Sequence, residues 1–199
     1  MQKLFLIAAA FVVSVFVLVL GGVGVSLALE NQDIFCASCH TEPEVKYYQQ
    51  STQSNPPTLA AFHTQKQTAC IDCHSGGGVL GRSEGLAQGA HDLMAYLSGN
   101  YHHPAITTNP LSDASCAKCH SNVFSRTGNR GGGGDDEAMN GHYHRFLARW
   151  QAADPKNAAR CVTCHTAHTT GLDGLQFMNQ GVVAQQCDHC HAALGRHED

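Results

Sequence analysis

Cys36-Ala37-Ser38-Cys39-His40 opens the polar part of this chain, and Cys36 lies only seven residues beyond an apolar, uncharged run from Leu4 to Leu29. C-x-x-C-H is the attachment signature of c-type haem: two thiols add across the porphyrin vinyl groups, and the histidine becomes the proximal ligand of the iron. The pattern recurs as Cys70-Ile71-Asp72-Cys73-His74, Cys116-Ala117-Lys118-Cys119-His120, Cys161-Val162-Thr163-Cys164-His165 and Cys187-Asp188-His189-Cys190-His191. These motifs, one to five, take all 10 cysteines, so none remains for a disulfide, an iron–sulfur cluster or a catalytic thiol. Paired C-x-x-C is also zinc spacing, but a histidine directly after the second cysteine in every copy favours haem. The expectation is five haem c, with His40, His74, His120, His165 and His191 as proximal ligands.

With the apolar run set aside, roughly 170 residues remain, enough for one small domain. Only 7% of the 199 residues are aromatic and there is a single Trp. Such a domain cannot bury an ordinary core beside five cofactors. The porphyrins must fill it, with the chain wrapped round them as short helices and loops, which also suits the 20 glycines. The expected fold is mostly α with extensive loops: a haem-cored multihaem cytochrome c domain over 30–199 on one N-terminal transmembrane helix over 1–29. Short helices are expected at Glu42–Gln50, at Ser83–Ser98, where Leu86, Ala90, Leu93, Met94 and Leu97 form one face, and at Ala138–Ala153.

At about 1.5 Å per residue the apolar run exceeds the ~30 Å hydrocarbon core of a bilayer. Ser26-Leu27-Ala28 resembles a signal-peptide cleavage site, but signal-peptide apolar regions run to only about 7–15 residues; the expectation is a retained single-pass anchor. Lys3 precedes the run and no Lys or Arg follows until Lys46. The N-terminus is therefore expected in the cytoplasm and the haem domain in the periplasm, on the cytoplasmic membrane of a bacterium. Gly21, Gly22, Gly24 and Ser26 are small residues that suit either a packing face for a partner's membrane helix or ordinary glycine tolerance.

A weak internal repeat runs through the polar part. Motif one resembles motif three, motif two resembles motif four, and motif five follows the duplicated pair. Between one and two lies Pro57–Thr68 with His63; between three and four lies Ala138–Ala153 with His142 and His144; Gly128–Asp136 resembles an inserted flexible loop. The remaining histidines bear on the sixth ligand of each iron. His63, His91 and His168 are candidates, with one of His102 and His103 and one of His142 and His144; the site set adopted is His63, His91, His103, His144 and His168, with His102 and His142 as alternatives. His168 is expected to serve a haem other than its own. Met94 and Met139 are possible sulfur ligands, and His189 and His197 read as solvated.

The formal charge is −4, and ten ionised propionates would take it to about −14. That excludes nucleic acid as a partner, which requires a basic footprint.

From the anchor through Phe35-Cys36-Ala37-Ser38-Cys39-His40-Thr41-Glu42-Pro43-Glu44, the second motif and Cys161–His168, the chain resembles the NapC/NirT/NrfH group of membrane-anchored multihaem cytochromes c. That group usually has four haems, and a methionine typically follows its first motif beside a quinol site; this chain has five motifs and Thr41-Glu42-Pro43-Glu44 in that place. It therefore looks more like the pentahaem subunit of alternative complex III. The resemblance implies an electron-transfer subunit, not an enzyme by itself. Its partners would be membrane-embedded quinol-oxidising and iron–sulfur subunits on one side, and a monohaem or soluble acceptor protein on the other. The alternative is a stand-alone NapC-type quinol dehydrogenase, which needs proton-accepting groups near haem one; Glu30, Asp33, Glu42, Glu44, Arg82, Glu84 and Asp92 are the charges available, each expected on a solvated surface.

Overall fold

The computed structural model of the chain describes residues 2–39, 42–104, 110–121, 123, 142–172 and 177–195. Helix α1, Gln2–Leu29, has 28 residues with a mean hydropathy of 3.0 over its most apolar window. It is long and apolar enough to cross a membrane or to serve as a signal sequence. Its last turn continues through Glu30 N–H to Ser26 O (3.0 Å) and Gln32 N–H to Leu29 O (2.9 Å) straight into α2, Asp33–Cys39. The first motif is thus joined to the apolar helix by one tight turn.

The remaining motifs also sit on short helices: α5 (Cys70–His74), α7 (Asp113–His120), α9 (Cys161–Cys164) and α10 (Gln180–Leu194). α2 packs on α5, α5 on α7, α7 on α9 and α9 on α10. The motif helices are therefore neighbours in the order in which they occur along the chain. α3 (Glu44–Ser51) packs against both α2 and α4 (Leu59–Gln65), and α8 (His142–Ala153) packs against α10. The longest helix after α1 is α6, Gly78–Ser98, closed by Gly99 in the left-handed conformation (φ 71°), the usual solution for a helix C-terminus.

Local caps explain why such short helices hold. Thr58 Oγ1 accepts from Ala61 N–H (3.2 Å) at the start of α4, and Asn179 Oδ1 accepts from Val182 N–H (3.3 Å) at the start of α10; each satisfies a backbone donor the helix leaves open. In α5, Asp72 reaches back to Ala69 N–H (2.8 Å), and in α9 Thr163 reaches back to Arg160 N–H (3.0 Å).

Among the described residues there is no strand, only one isolated antiparallel bridge between His165 and Met178. The mostly helical expectation holds. Buried apolar side chains among them are Ala37, Ala61, Trp150, Ala159 and Phe177. Three alanines and two aromatics cannot hold a domain of this size by burial alone, as expected of a chain built round cofactors.

Helix boundaries differ from the sequence expectation at three places. α3 begins at Glu44 rather than Glu42. α6 begins five residues earlier than Ser83, because Gly76 (φ 72°) turns the chain so that Gly81 can lie directly against it, a close approach that offsets the poor helix propensity of the glycines. α4 had not been anticipated as a helix. Of the expected helix Ala138–Ala153, the part from His142 is present; 138–141, Met139 and the glycine tract lie outside the described residues.

Candidate haem-binding site

Two equivalent half-sites are built on the same scheme. Asp33, three residues ahead of Cys36, accepts from Cys70 N–H (2.8 Å). Asp113, three residues ahead of Cys116, accepts from Cys161 N–H (2.7 Å). In each case a carboxylate at the start of an odd-numbered motif helix caps the next motif helix, where the helix dipole favours it. The first cysteines of the paired motifs consequently meet. Cys36 and Cys70 hydrogen-bond each other, which lowers Cys36 to about 7 and raises Cys70; Cys116 and Cys161 do the same, lowering Cys116 to about 7 and raising Cys161. The duplication seen in the motifs is thus repeated in their contacts. Asp33 and Asp113 were legible as a shared Asp-x-x-Cys lead, a signal the sequence reading overlooked.

The two halves are tied by Lys118 of motif three, whose Nζ donates to Asp72 O (2.8 Å) and Ser75 Oγ (2.9 Å) beside motif two. Gln151 on α8 donates to Asp113 Oδ2 (2.6 Å) and to Ala159 O (2.9 Å), bracing motif four.

One continuous cavity of about 1260 Å³ is lined by all the cysteines and proximal histidines of motifs two to five, together with His63, His144 and His168. This exceeds the roughly 300–1,000 Å³ of a pocket for a single small ligand. Within it six of the histidines come in three pairs, each joining one motif histidine to one from elsewhere. Ring centroids are 6.3 Å apart for His74 and His168, 6.1 Å for His63 and His120, and 6.2 Å for His144 and His165. A metal held between two imidazole nitrogens about 2.0 Å from each, with each nitrogen about 1.1 Å from its ring centre, sets the centroids about 6.2 Å apart whatever the twist between the planes.

The surroundings of these rings suit ligation. His63 Nδ1 lies 3.0 Å from Leu59 O and donates to it, so Nε2 is the nitrogen left for a metal. His168 stacks on Tyr47 (3.9 Å, 15°), and its Nδ1 is buried without a hydrogen-bond partner. Burial, and then the neighbouring His74, hold His168 at about 4. His74, which lines the cavity, is lowered as well, by burial, against the opposing pull of Glu44. Both rings are neutral at pH 7, the form that donates to a metal. The donor set and its spacing fit haem covalently attached at these motifs.

The other candidates are placed differently. His91 lies on α6 outside the cavity, its side chain 78% exposed and 3.5 Å from Asp92. His102 and His103 are exposed and do not line the cavity, nor does Met94 on α6. His189 is exposed on α10. His40 and His197 lie outside the described residues, as does the side chain of His142. The charges near motif one depart from a uniformly solvated surface: Arg82 and Glu30 form a half-buried ion pair between the end of α1 and the start of α6, Asp33 is engaged as a cap, and Glu44 is half-buried beside His74. The cause is pairing: Glu30 and Arg82 meet each other across the end of α1 and the start of α6, and Asp33 is drawn to Cys70 N–H.

Residues 100–192, which carry motifs three to five, match the family model of cytochrome c7 and related cytochrome c. No curated protein and no solved structure matches the chain. The match supports a multihaem c-type, electron-transfer character for that segment, and α1 fits a membrane anchor or a signal sequence.

Proposed function

We propose that this chain carries five haem c and relays electrons from a quinol-oxidising complex in the bacterial cytoplasmic membrane to a periplasmic acceptor protein. The observation that carries the reading is the packing of the motif helices in sequence order, with the first joined directly to α1. Such an order offers a single path that starts beside the membrane and ends at α10. Each haem would supply one-electron ferric–ferrous exchange; the chain's part is to hold each site, set its axial ligands and fix the spacing. His63, His144 and His168 supply the sixth ligands at motifs three, four and two. The placement of α1 as a retained anchor, with the N-terminus in the cytoplasm, belongs to the same reading.

On this reading the donor is a membrane complex with quinol-oxidising and iron–sulfur subunits, as in alternative complex III, and the acceptor a monohaem or soluble cytochrome. Mild detergent extraction followed by identification of co-purifying proteins tests it, together with a haem count by mass: five haems and membrane redox partners are expected, whereas fewer haems or purification without such partners overturns the assignment. One observation favours the alternative of direct quinol oxidation by this chain. The half-buried Glu30–Arg82 pair puts a carboxylate where α1 meets the first motif. Reduction of the isolated protein by a menaquinol analogue, blocked by a quinone-site inhibitor, would decide for that alternative.

A further inference from the structure

Helix α6 has two unlike faces, and only one meets the rest of the protein. Its first turns meet the loop after motif two through glycines: a Cβ at Gly81 would lie 3.1 Å from Gly76 C, and one at Gly85 would lie 3.4 Å from Ser75 O. On the far side of the same helix, Val79, Leu86, Ala90, Leu93 and Leu97 fall within an arc of about 60° at 3.6 residues per turn. Met94 borders this arc. Along this arc Val79 is 84% exposed, Leu86 37%, Leu93 48% and Leu97 69%, with Met94 at its border 65%. Glu84, Gln88 and Asp92 lie opposite the stripe, with Gln88 Nε2 donating to Asp92 Oδ1 (2.8 Å).

An apolar stripe running the length of a 21-residue helix is too costly to leave in water. Its position indicates what covers it. Arg82, in the second turn of α6, pairs with Glu30, the residue that follows the last residue of α1. The two most exposed apolar residues of α6, Val79 and Leu80, therefore stand at the level where the apolar helix leaves the membrane. At the other end of α6, Tyr96 and Tyr101 lie with ring centroids 5.6 Å apart, both exposed; tyrosine favours the headgroup region, where one end of the ring is apolar and the other wet.

We propose that α6 lies along the outer surface of the lipid bilayer, stripe inward, as a second membrane contact beside α1. This rests on α1 being a retained anchor. The occupant is lipid: the stripe is continuous with the membrane end of α1, and α6 carries one Arg and no Lys, so the contact is apolar burial and not headgroup charge. The consequence is orientation. A single helix leaves the domain free to tilt and rotate, whereas two contacts fix which face of the first motif meets the membrane plane.

The test is acyl-chain photolabelling of the full haem-loaded chain in lipid nanodiscs, using a phospholipid that carries a diazirine in its tail, read by peptide mass spectrometry. Adducts are expected on α1 and on Leu86, Leu93, Met94 and Leu97, several-fold above those on Glu84 and Gln88, and Leu93→Glu with Leu97→Glu should remove the α6 adducts while leaving α1 labelled. Adducts confined to α1 overturn the proposal while leaving the anchor intact; absence of adducts on both helices refutes the anchor reading as well. If α6 stays unlabelled and its amides are protected from exchange only when a partner protein or second copy is present, the stripe is a protein interface and the proposal fails.

Discussion

His144 and His165 face each other with ring centroids 6.2 Å apart and planes only 11° from parallel, although one belongs to α8 and the other to the end of the fourth motif. His74 and His168 share nearly the same separation with a 29° twist, and His63 and His120 share it with an 82° twist. Equal spacing with unequal twist is what two histidines would show if each pair held one haem iron, since rotation about such an axis leaves the distance unchanged. The twist itself has a chemical effect. Parallel imidazole planes split the π-donor orbitals of a ferric iron, while perpendicular planes leave them nearly degenerate.

The electron paramagnetic resonance spectrum of the oxidised protein should therefore contain ordinary rhombic low-spin signals from motifs two and four. The motif-three haem should give one highly anisotropic low-spin signal. His63→Ala should abolish the anisotropic signal and produce high-spin iron at one site, leaving the rhombic signals in place. Persistence of the anisotropic signal in that variant would refute the His63–His120 pair.

Asp33 and Asp113 perform equivalent roles but carry unequal loads. Asp33 accepts from Cys70 N–H, whereas Asp113 accepts from both Cys161 N–H and Gln151. A buried donor left unsatisfied costs about 1–3 kcal/mol, so Asp113→Ala should lower the thermal midpoint more than Asp33→Ala. The two losses should be localised, with incomplete haem attachment at motif four in the first variant and at motif two in the second, read from the mass of tryptic peptides.

His168 is held by Tyr47, whose ring lies 3.9 Å away and 15° from parallel. A stacked aromatic pair contributes about 0.5–1.5 kcal/mol beyond area burial. Tyr47→Ala should loosen the distal ligand without removing it: the low-spin spectrum survives at rest, and carbon monoxide or cyanide gains access to one ferrous or ferric site. His168→Met should instead raise the midpoint potential of one haem, since thioether ligation favours the reduced iron. A redox titration in which every potential stays fixed would place His168 away from iron.

The attachment chemistry was legible because C-x-x-C-H is a local pattern, and so was α1, because membrane length is a one-dimensional property. The stripe of α6 was legible for the same reason, as a helical period over Leu86, Leu93 and Leu97. The pairing of the histidines was not. His63 meets His120 only because α4 forms at all, and α4 is fixed by a buried threonine cap and by Ala60 N–H donating to Ala167 O (2.9 Å), a contact from the far end of the chain. His168 reaches motif two by the same long-range docking. His91 looked equivalent to them in sequence, yet it lies on a helix that meets the turn after motif two through Gly81 and Gly85, and its exposed ring does not line the cavity.

Gly77 is the residue through which the turn after motif two meets motif three. A Cβ built there would lie 2.4 Å from Ala114 Cβ on α7, far inside the contact distance of two methyl groups. Gly77→Ala must therefore push α6 and its turn away from α7, and the contact between α5 and α7 is the one that opens. The expected result is a lower thermal midpoint and slower electron exchange between the haems of motifs two and three, with the haem count unchanged. Because the obstruction is a single methyl group on each side, Ala114→Gly in the same chain should restore both. Residues in direct contact show coupling of about 0.5–3 kcal/mol in such double-mutant cycles. If the second substitution restores neither property, the defect arises from the backbone of Gly77 and not from its approach to Ala114. The close passage between motifs two and three would then have no part in joining the two halves.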